Sequence, residues 1–138
     1  MDYGRTTREL LANEGMTASA LRAACEQGQL ERVRRGHYAP KCDPDEVARH
    51  RRLIAATFPL LAEGSVLSHT SAAVLHGLPV RPDRLSRIWV TRSGDGHGRH
   101  GPVVHLRRSS VADSDVDTID GWPVTGLART AIDLAREL

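Results

Sequence analysis

Aromatic residues, lysine, cysteine and long apolar runs are all scarce in this sequence. Two Trp, two Tyr and one Phe leave the core to Leu, Ala, Val and Ile, with 40% hydrophobic content to supply it. Cys25 and Cys42 are too few and too far apart for a disulfide framework or a zinc knuckle. No stretch nears the ~20 apolar residues that a membrane span needs. The start, Met1-Asp2-Tyr3-Gly4-Arg5, lacks the apolar core of a secretory signal. Low-complexity blocks are absent, and 26% charged residues argue against disorder. These absences indicate a soluble cytoplasmic protein. Its 138 residues suit one compact domain, or a small domain with a second behind it.

What is abundant is arginine: eighteen stand against the single Lys41, although the net charge is only +2. A guanidinium is a planar fork that grips guanine edges or phosphates with two bonds. An Arg- and Ala-rich chain also follows from a GC-rich genome, so composition alone leaves the partner open.

Local signals place the elements. Residues 6–13 read as a short helix capped by Thr6 or Thr7, with Leu10 and Leu11 as its apolar side and Gly15 as its stop. After the turn Met16-Thr17, a helix over 18–27 turns Ala18, Leu21, Ala24 and Cys25 to one face and ends at Gly28. Two short extended pieces, 30–33 and 37–39, flank Arg34-Arg35-Gly36, a plausible hairpin tip. Helix, turn, helix, basic hairpin is the order of a winged helix-turn-helix. A linker follows. Asp43-Pro44-Asp45-Glu46 then opens a helix with Val47, Ile54, Phe58 and Leu61 on one side and Arg49 and Arg52 on the other.

Farther on, Val66-Leu67 precedes Ser68-His69-Thr70-Ser71, read as the cap of a helix closed by Gly77. Ile88-Trp89-Val90 and 103–106 look like strands joined by a glycine- and histidine-bearing loop. Asp120-Gly121 is a hairpin turn between Thr118-Ile119 and Trp122-Pro123-Val124. A last helix from Thr125 places Leu127, Ala131, Leu134 and Leu138 along one face, and Arg129 and Asp133 pair across one of its turns.

With these segments placed, four stretches resemble AbiEi-type antitoxins of type IV toxin–antitoxin systems, in the form with an N-terminal winged helix-turn-helix. They are Gly15-Met16-Thr17 with Leu21 and Gly28; Arg34-Arg35-Gly36-His37-Tyr38; Ser68-His69-Thr70-Ser71-Ala72-Ala73 running to His76-Gly77-Leu78-Pro79; and Asp120-Gly121-Trp122-Pro123-Val124-Thr125 with 128–134. The resemblance implies a DNA-binding antitoxin that represses its own operon and opposes a nucleotidyltransferase-like toxin. Members often continue into a domain similar to Vsr-type endonucleases, so residues 42–138 are expected to be an α+β antitoxin middle domain that stops short of it. The family usually has one more helix ahead of the pair. Met1 to Arg5 leaves no room for it, and the first helix of the 1–41 DNA-binding domain is expected to be missing. The expected class is α+β: a winged helix-turn-helix, then a small mixed domain with helices packed on a short sheet.

In such a module the second helix enters the major groove, so its outer side must be short and polar. Thr17, Ser19, Arg22, Ala23, Glu26 and Gln27 meet that demand. Arg22 can fork onto guanine and Gln27 can pair with adenine, while Glu26 is repelled by phosphates unless it accepts from cytosine. Arg32, Arg34, Arg35 and Lys41 form a cluster offset only by Glu31, suited to phosphates.

Other motifs read as structure. Ser68-His69 invites a hydrolase reading, but nucleophile and base seldom sit side by side. His97, His100 and His105 are read as loop histidines, lacking cysteine or clustered carboxylates nearby. Asp113, Asp115, Asp117 and Asp120 alternate like a calcium loop without its glycine and terminal glutamate, and read as a solvated linker or a face for a basic partner. No catalytic residue, metal or cofactor is expected. The function expected is a non-enzymatic DNA-binding autorepressor, acting as a pair on an inverted repeat of its own operator. The alternative is a protein-interaction module that binds a toxin or partner through 43–138, its winged helix degenerate.

Overall fold

A computed structural model describes residues 2–41 and 45–137, and the chain divides into two compact units, Met1–Pro59 and Leu60–Leu138. Both are mixed α and β, which gives the expected α+β class.

In the first unit, a two-residue strand β1 (Arg5–Thr6) leads into α1 (Thr7–Ala12). Thr6 and Glu9 form a reciprocal capping box, each side chain bonded to the other's backbone N–H at 3.1 Å. Thr17 caps α2 (Ala18–Glu26) by accepting from the Ala20 N–H at 3.1 Å. The hairpin β2 (Leu30–Arg34) and β3 (His37–Pro40) follows, and β1 adds to its second strand, giving the sheet order β1-β3-β2. Gly36 turns the tip at φ +79°, and its carbonyl accepts from the Thr7 N–H at 2.8 Å, pinning the tip to the start of α1. Gly4 is fixed more strictly: at φ +93° a Cβ there would lie 2.1 Å from the Tyr38 carbonyl oxygen.

The helix α3 (Glu46–Thr57) belongs to this first unit, so the compact division falls at 59/60 and not at the expected 41/42. Asp45 caps it, accepting from the Ala48 N–H at 2.7 Å. Of the expected start signal, Asp43 and Pro44 lie outside the described residues, as does Cys42. The facing of α3 differs from the expected pattern. Ile54 is fully buried as expected, but Val47 is exposed and Arg52 is turned inward, only 3% exposed. Its guanidinium donates to Glu31 Oε1 at 2.7 Å and to the Pro40 carbonyl at 3.2 Å, tying α3 to the base of the hairpin. An inward arginine with a carboxylate partner is invisible to a periodicity that treats every charge as outward. Leu11, expected on the apolar side of α1, is likewise exposed, while Leu10 is buried.

The second unit is a six-stranded mixed sheet of order β6-β7-β5-β4-β9-β8. Its strands are β4 (Val66–Leu67), β5 (Ile88–Arg92), β6 (Arg99–His100), β7 (Val104–Arg108), β8 (Val116–Ile119) and β9 (Trp122–Thr125). The pairs β5/β7 and β4/β9 are parallel, the rest antiparallel. Helix α4 (His69–Leu75) packs on β5 and β9, and α5 (Leu127–Arg136) packs on α4. Leu67, Ile88, Val90 and Val124 are fully buried at 0% exposure, each contributing about 1.5–3 kcal/mol of transfer free energy. The β8–β9 hairpin turns on Asp120 and Gly121 at φ +53° and +82°, as the Asp-Gly signal requires.

Three expectations are corrected here. Ser68 is the N-cap of α4 by position, but its hydroxyl caps nothing: it accepts from the Thr91 hydroxyl at 2.7 Å and meets His69 Nδ1 at 2.9 Å. Ser71 accepts from the Trp89 N–H at 2.8 Å, so both serines fasten α4 to β5. His105 is no loop histidine; it is buried on β7, stacked on Trp89 at 3.9 Å between ring centroids. On α5, Leu127 and Ile132 are about half exposed, while Thr130 and Asp133 are buried. Leu138, expected on the same face as Leu127, lies outside the described residues. Among the described residues no helix is long and apolar enough to cross a membrane.

Candidate nucleic-acid interface

In the first unit α2 and the hairpin β2–β3 position the expected site residues. Burial of Leu21 and Ala24 fixes the roll of α2, which leaves Thr17, Ser19, Arg22, Glu26 and Gln27 exposed and Ala23 half-buried. Beside this face runs an open groove of about 530 Å³ between α2 and the hairpin. Arg22 enters it from the helix, Arg32 from β2, and Lys41 from the residue after β3, with Leu30 and Tyr38 as floor. Lys41 is fixed at the hairpin base, where its backbone N–H donates to the Gln29 carbonyl at 3.0 Å.

Strand register separates the remaining arginines. Arg32 pairs with Tyr38 and Arg34 with His37, an irregularity that leaves Val33 as the extra residue of a bulge. Cross-strand partners share a face and successive residues alternate, so the bulge sends Arg34 to the face opposite Arg32. Arg34 is half-buried there, beside a His37 whose Nε2 lies 2.7 Å from the Tyr3 carbonyl. Arg35 is exposed at the tip. The structure thus gathers Arg22, Arg32 and Lys41 around one groove, places Thr17, Ser19, Glu26 and Gln27 on the adjoining helix face, and does not bring Arg34 to it.

Electrostatics favour an anion in this groove. Arg22, Arg32 and Lys41 have no ion pair among the described residues, whereas Glu31 is occupied by Arg52 at 2.7 Å. Glu31 also lines the groove, its side chain 31% exposed, so the carboxylate expected to offset the cluster stands beside it with its charge already met by Arg52. Arg5 stands in the same cross-strand row as Tyr38 and Arg32, but its charge is met by Glu14 at 3.2 Å and Asp2 at 3.6 Å. Tyr38 was missed by sequence reasoning. Its signal was the alternation His37-Tyr38-Ala39, which buries 37 and 39 and turns 38 to the groove.

A second polar cluster sits in the other unit. Asp133 is 4% exposed and accepts from Arg129 Nε at 3.0 Å, while the rest of that guanidinium donates to the Ser110 carbonyl at 3.0 Å and the Ser109 hydroxyl at 3.2 Å. The Arg129–Asp133 pair expected from spacing is therefore a buried tie between α5 and the loop after β7. Burial holds the His69 imidazole below its ordinary pKa, against the opposing pull of Asp133 and Glu137. Burial likewise lowers His105 to about 4, helped by His100 and Arg107.

No curated protein matches the chain. The family matched is one of regulators and not of enzymes. Residues 6–41, which run from the Thr6 cap through α1, α2 and the hairpin to Lys41, match the family model described as a transcriptional regulator, AbiEi antitoxin.

Proposed function

We propose that this chain is a non-enzymatic, cytoplasmic DNA-binding regulator: an antitoxin that represses its own type IV toxin–antitoxin operon. One observation carries this reading: a short, polar outer face on α2 adjoins a groove whose three cations, Arg22, Arg32 and Lys41, lack ionic partners among the described residues. In use, α2 lies in the major groove with Ser19, Arg22 and Gln27 against base edges, and Glu26 accepts from cytosine. Arg32 and Lys41 hold phosphates, which sets register and affinity without reading sequence. Arg35 at the hairpin tip contributes a more distant phosphate contact, and Arg34 supports the hairpin from its other face. Two copies on an inverted repeat would double this surface. The nucleotidyltransferase-like toxin belongs to the same reading, as the protein whose operon is regulated.

The test is a titration of the full chain with duplex DNA from upstream of its gene, at two salt concentrations. Preference for that DNA over a scrambled duplex, with a steep loss of affinity as salt rises, is the expected result. No binding at low salt would refute it.

A second reading has one observation in its favour. On α5 the residues Leu127, Ala128, Ala131, Ile132 and Ala135 form an exposed apolar stripe, with Leu127 54% and Ile132 51% exposed. In that reading residues 43–138 hold the toxin through α5. With its winged helix degenerate, the chain would then leave upstream duplex unbound at low salt, and Ile132→Asp would abolish toxin binding.

A further inference from the structure

The second unit carries a cleft that the regulatory reading does not use. Three arginines turn toward it, Arg107 from the end of β7 and Arg129 and Arg136 from α5, while Arg108, the next residue along the strand, carries its guanidinium to the loop after β5 and donates to the Ser93 carbonyl at 3.3 Å. Its volume is about 410 Å³, and His69 and Glu137 form one wall. A smaller compartment of about 200 Å³ adjoins through that wall and is lined mainly by Trp89, Pro79, Val80 and Leu134. Asp133 and Glu137 line it and are already engaged, Asp133 by Arg129 and Glu137 by Arg107 and Arg84, and Arg129 also lies 3.9 Å from Asp115. Arg136 is exposed and has no ion pair among the described residues. Arg107 Nε and Arg108 Nε are buried with no hydrogen-bond partner among them.

The wall itself is strained. His69 takes φ +51°, a left-handed conformation that a residue with a Cβ adopts at a cost, and it does so inside the first turn of a buried helix. The conformation holds the imidazole with Nδ1 on the Ser68 hydroxyl at 2.9 Å and Nε2 facing Glu137 at 3.9 Å, its ring 5.5 Å from that of Trp89. Folding without this requirement would place an ordinary helical residue there. An arginine without an ion pair among the described residues, the unbonded Nε of Arg107 and a strained, buried polar side chain on the cleft wall together mark a ligand site.

We propose that this double cleft binds a small organic phosphate, its phosphate on the arginines and its flat apolar body against Trp89 and Val80. Guanidinium forks suit the phosphate, and the apolar compartment selects an ester over the free ion. A nucleoside monophosphate has the required chemistry, which would make the second unit a sensor attached to the DNA-binding one.

Trp89 provides the readout. In the full chain carrying Trp122→Phe, emission comes from Trp89 alone, and calorimetry on the unaltered chain gives the same titration without relying on that substitution. Adenosine and guanosine monophosphates are expected to give a saturable change. Inorganic phosphate is expected to bind at least about tenfold more weakly, and Arg136→Glu to weaken the nucleotides about tenfold or more, with Arg136→Lys restoring most of it. Three results would overturn the proposal: no saturable change with either nucleotide, inorganic phosphate binding as tightly as they do, or a random duplex DNA displacing them at equal phosphate concentration.

Discussion

The two units use arginine in opposite ways. In the first, Arg22, Arg32 and Lys41 are left without ionic partners on the outside, while a single arginine, Arg52, is drawn inward to neutralise Glu31. In the second, Arg107 and Arg129 are paired and half-buried, and apolar residues of α5 take the outer face instead. Both arrangements come from nearly the same composition. The difference lies in where the carboxylates stand: half-buried Glu31 at the hairpin base is taken by Arg52 from α3, and Asp133 and Glu137 meet Arg129 and Arg107 at the end of α5. An arginine becomes a docking group where its nearest carboxylate has been claimed by another cation.

Several substitutions would break or sharpen this contrast. The largest effect is expected at Arg52: Arg52→Ala removes the buried guanidinium and its bonds to Glu31 and the Pro40 carbonyl and should destabilise the first unit by about 2–3 kcal/mol, read as a shifted denaturation midpoint. Arg52→Met should cost markedly less, since it removes the charge while keeping the volume; equal losses from both would show that the pair with Glu31 is not what α3 depends on. Next, Asp133→Ala leaves Arg129 without its carboxylate and should cost about 2 kcal/mol, without changing DNA affinity. A loss of DNA binding in Asp133→Ala would end the separation of roles between the units.

A pH effect should follow from His105. Its folded pKa of about 4 lies below the ordinary 6.5, so the folded form resists a proton that the unfolded chain accepts. Stability is therefore full above about pH 6.5 and falls as pH drops toward 4, where the folded form also protonates. His105→Phe keeps a ring against Trp89 and should flatten that slope; thermal melts between pH 7 and 4.5 check it. The smallest effect is expected from Arg35→Ala, which should weaken DNA binding by no more than a few-fold because one exposed phosphate contact is worth little.

How much of this was legible in the sequence follows the same contrast. Local chemistry was readable: the Thr6 and Thr17 caps, the glycine stops, the Arg34-Arg35-Gly36 tip and the Asp120-Gly121 turn all depend on neighbours close in the chain. Tertiary choices were not. The two-residue β1 exists only because β3 offers it an edge, and the bulge at Val33 reverses Arg34 without any residue type announcing it. Arg52 and α5 misled for one reason: periodicity assigns charge outward and apolar groups inward. A buried Arg–Glu pair and a Thr130–Asp133 inner face both satisfy their polar groups by hydrogen bonds and so escape that rule. At the candidate interface most of the helix face was readable, since burial of Leu21 and Ala24 sets it, but Ala18, expected on the apolar side, is exposed and Ala23, expected on the outer side, is half-buried. The groove beside it needed the register of β2 on β3.

The most direct test of the interface compares the unaltered chain with Arg22→Ala/Arg32→Ala/Lys41→Ala on upstream duplex DNA across a salt series. Each lost phosphate contact should reduce the slope of log affinity against log salt by about 0.9, so the triple variant should lose about 2 units of slope through Arg32 and Lys41, and through Arg22 its preference for the cognate sequence. An unchanged slope and an unchanged preference, in a variant that melts like the original, would contradict the assignment of this groove to DNA.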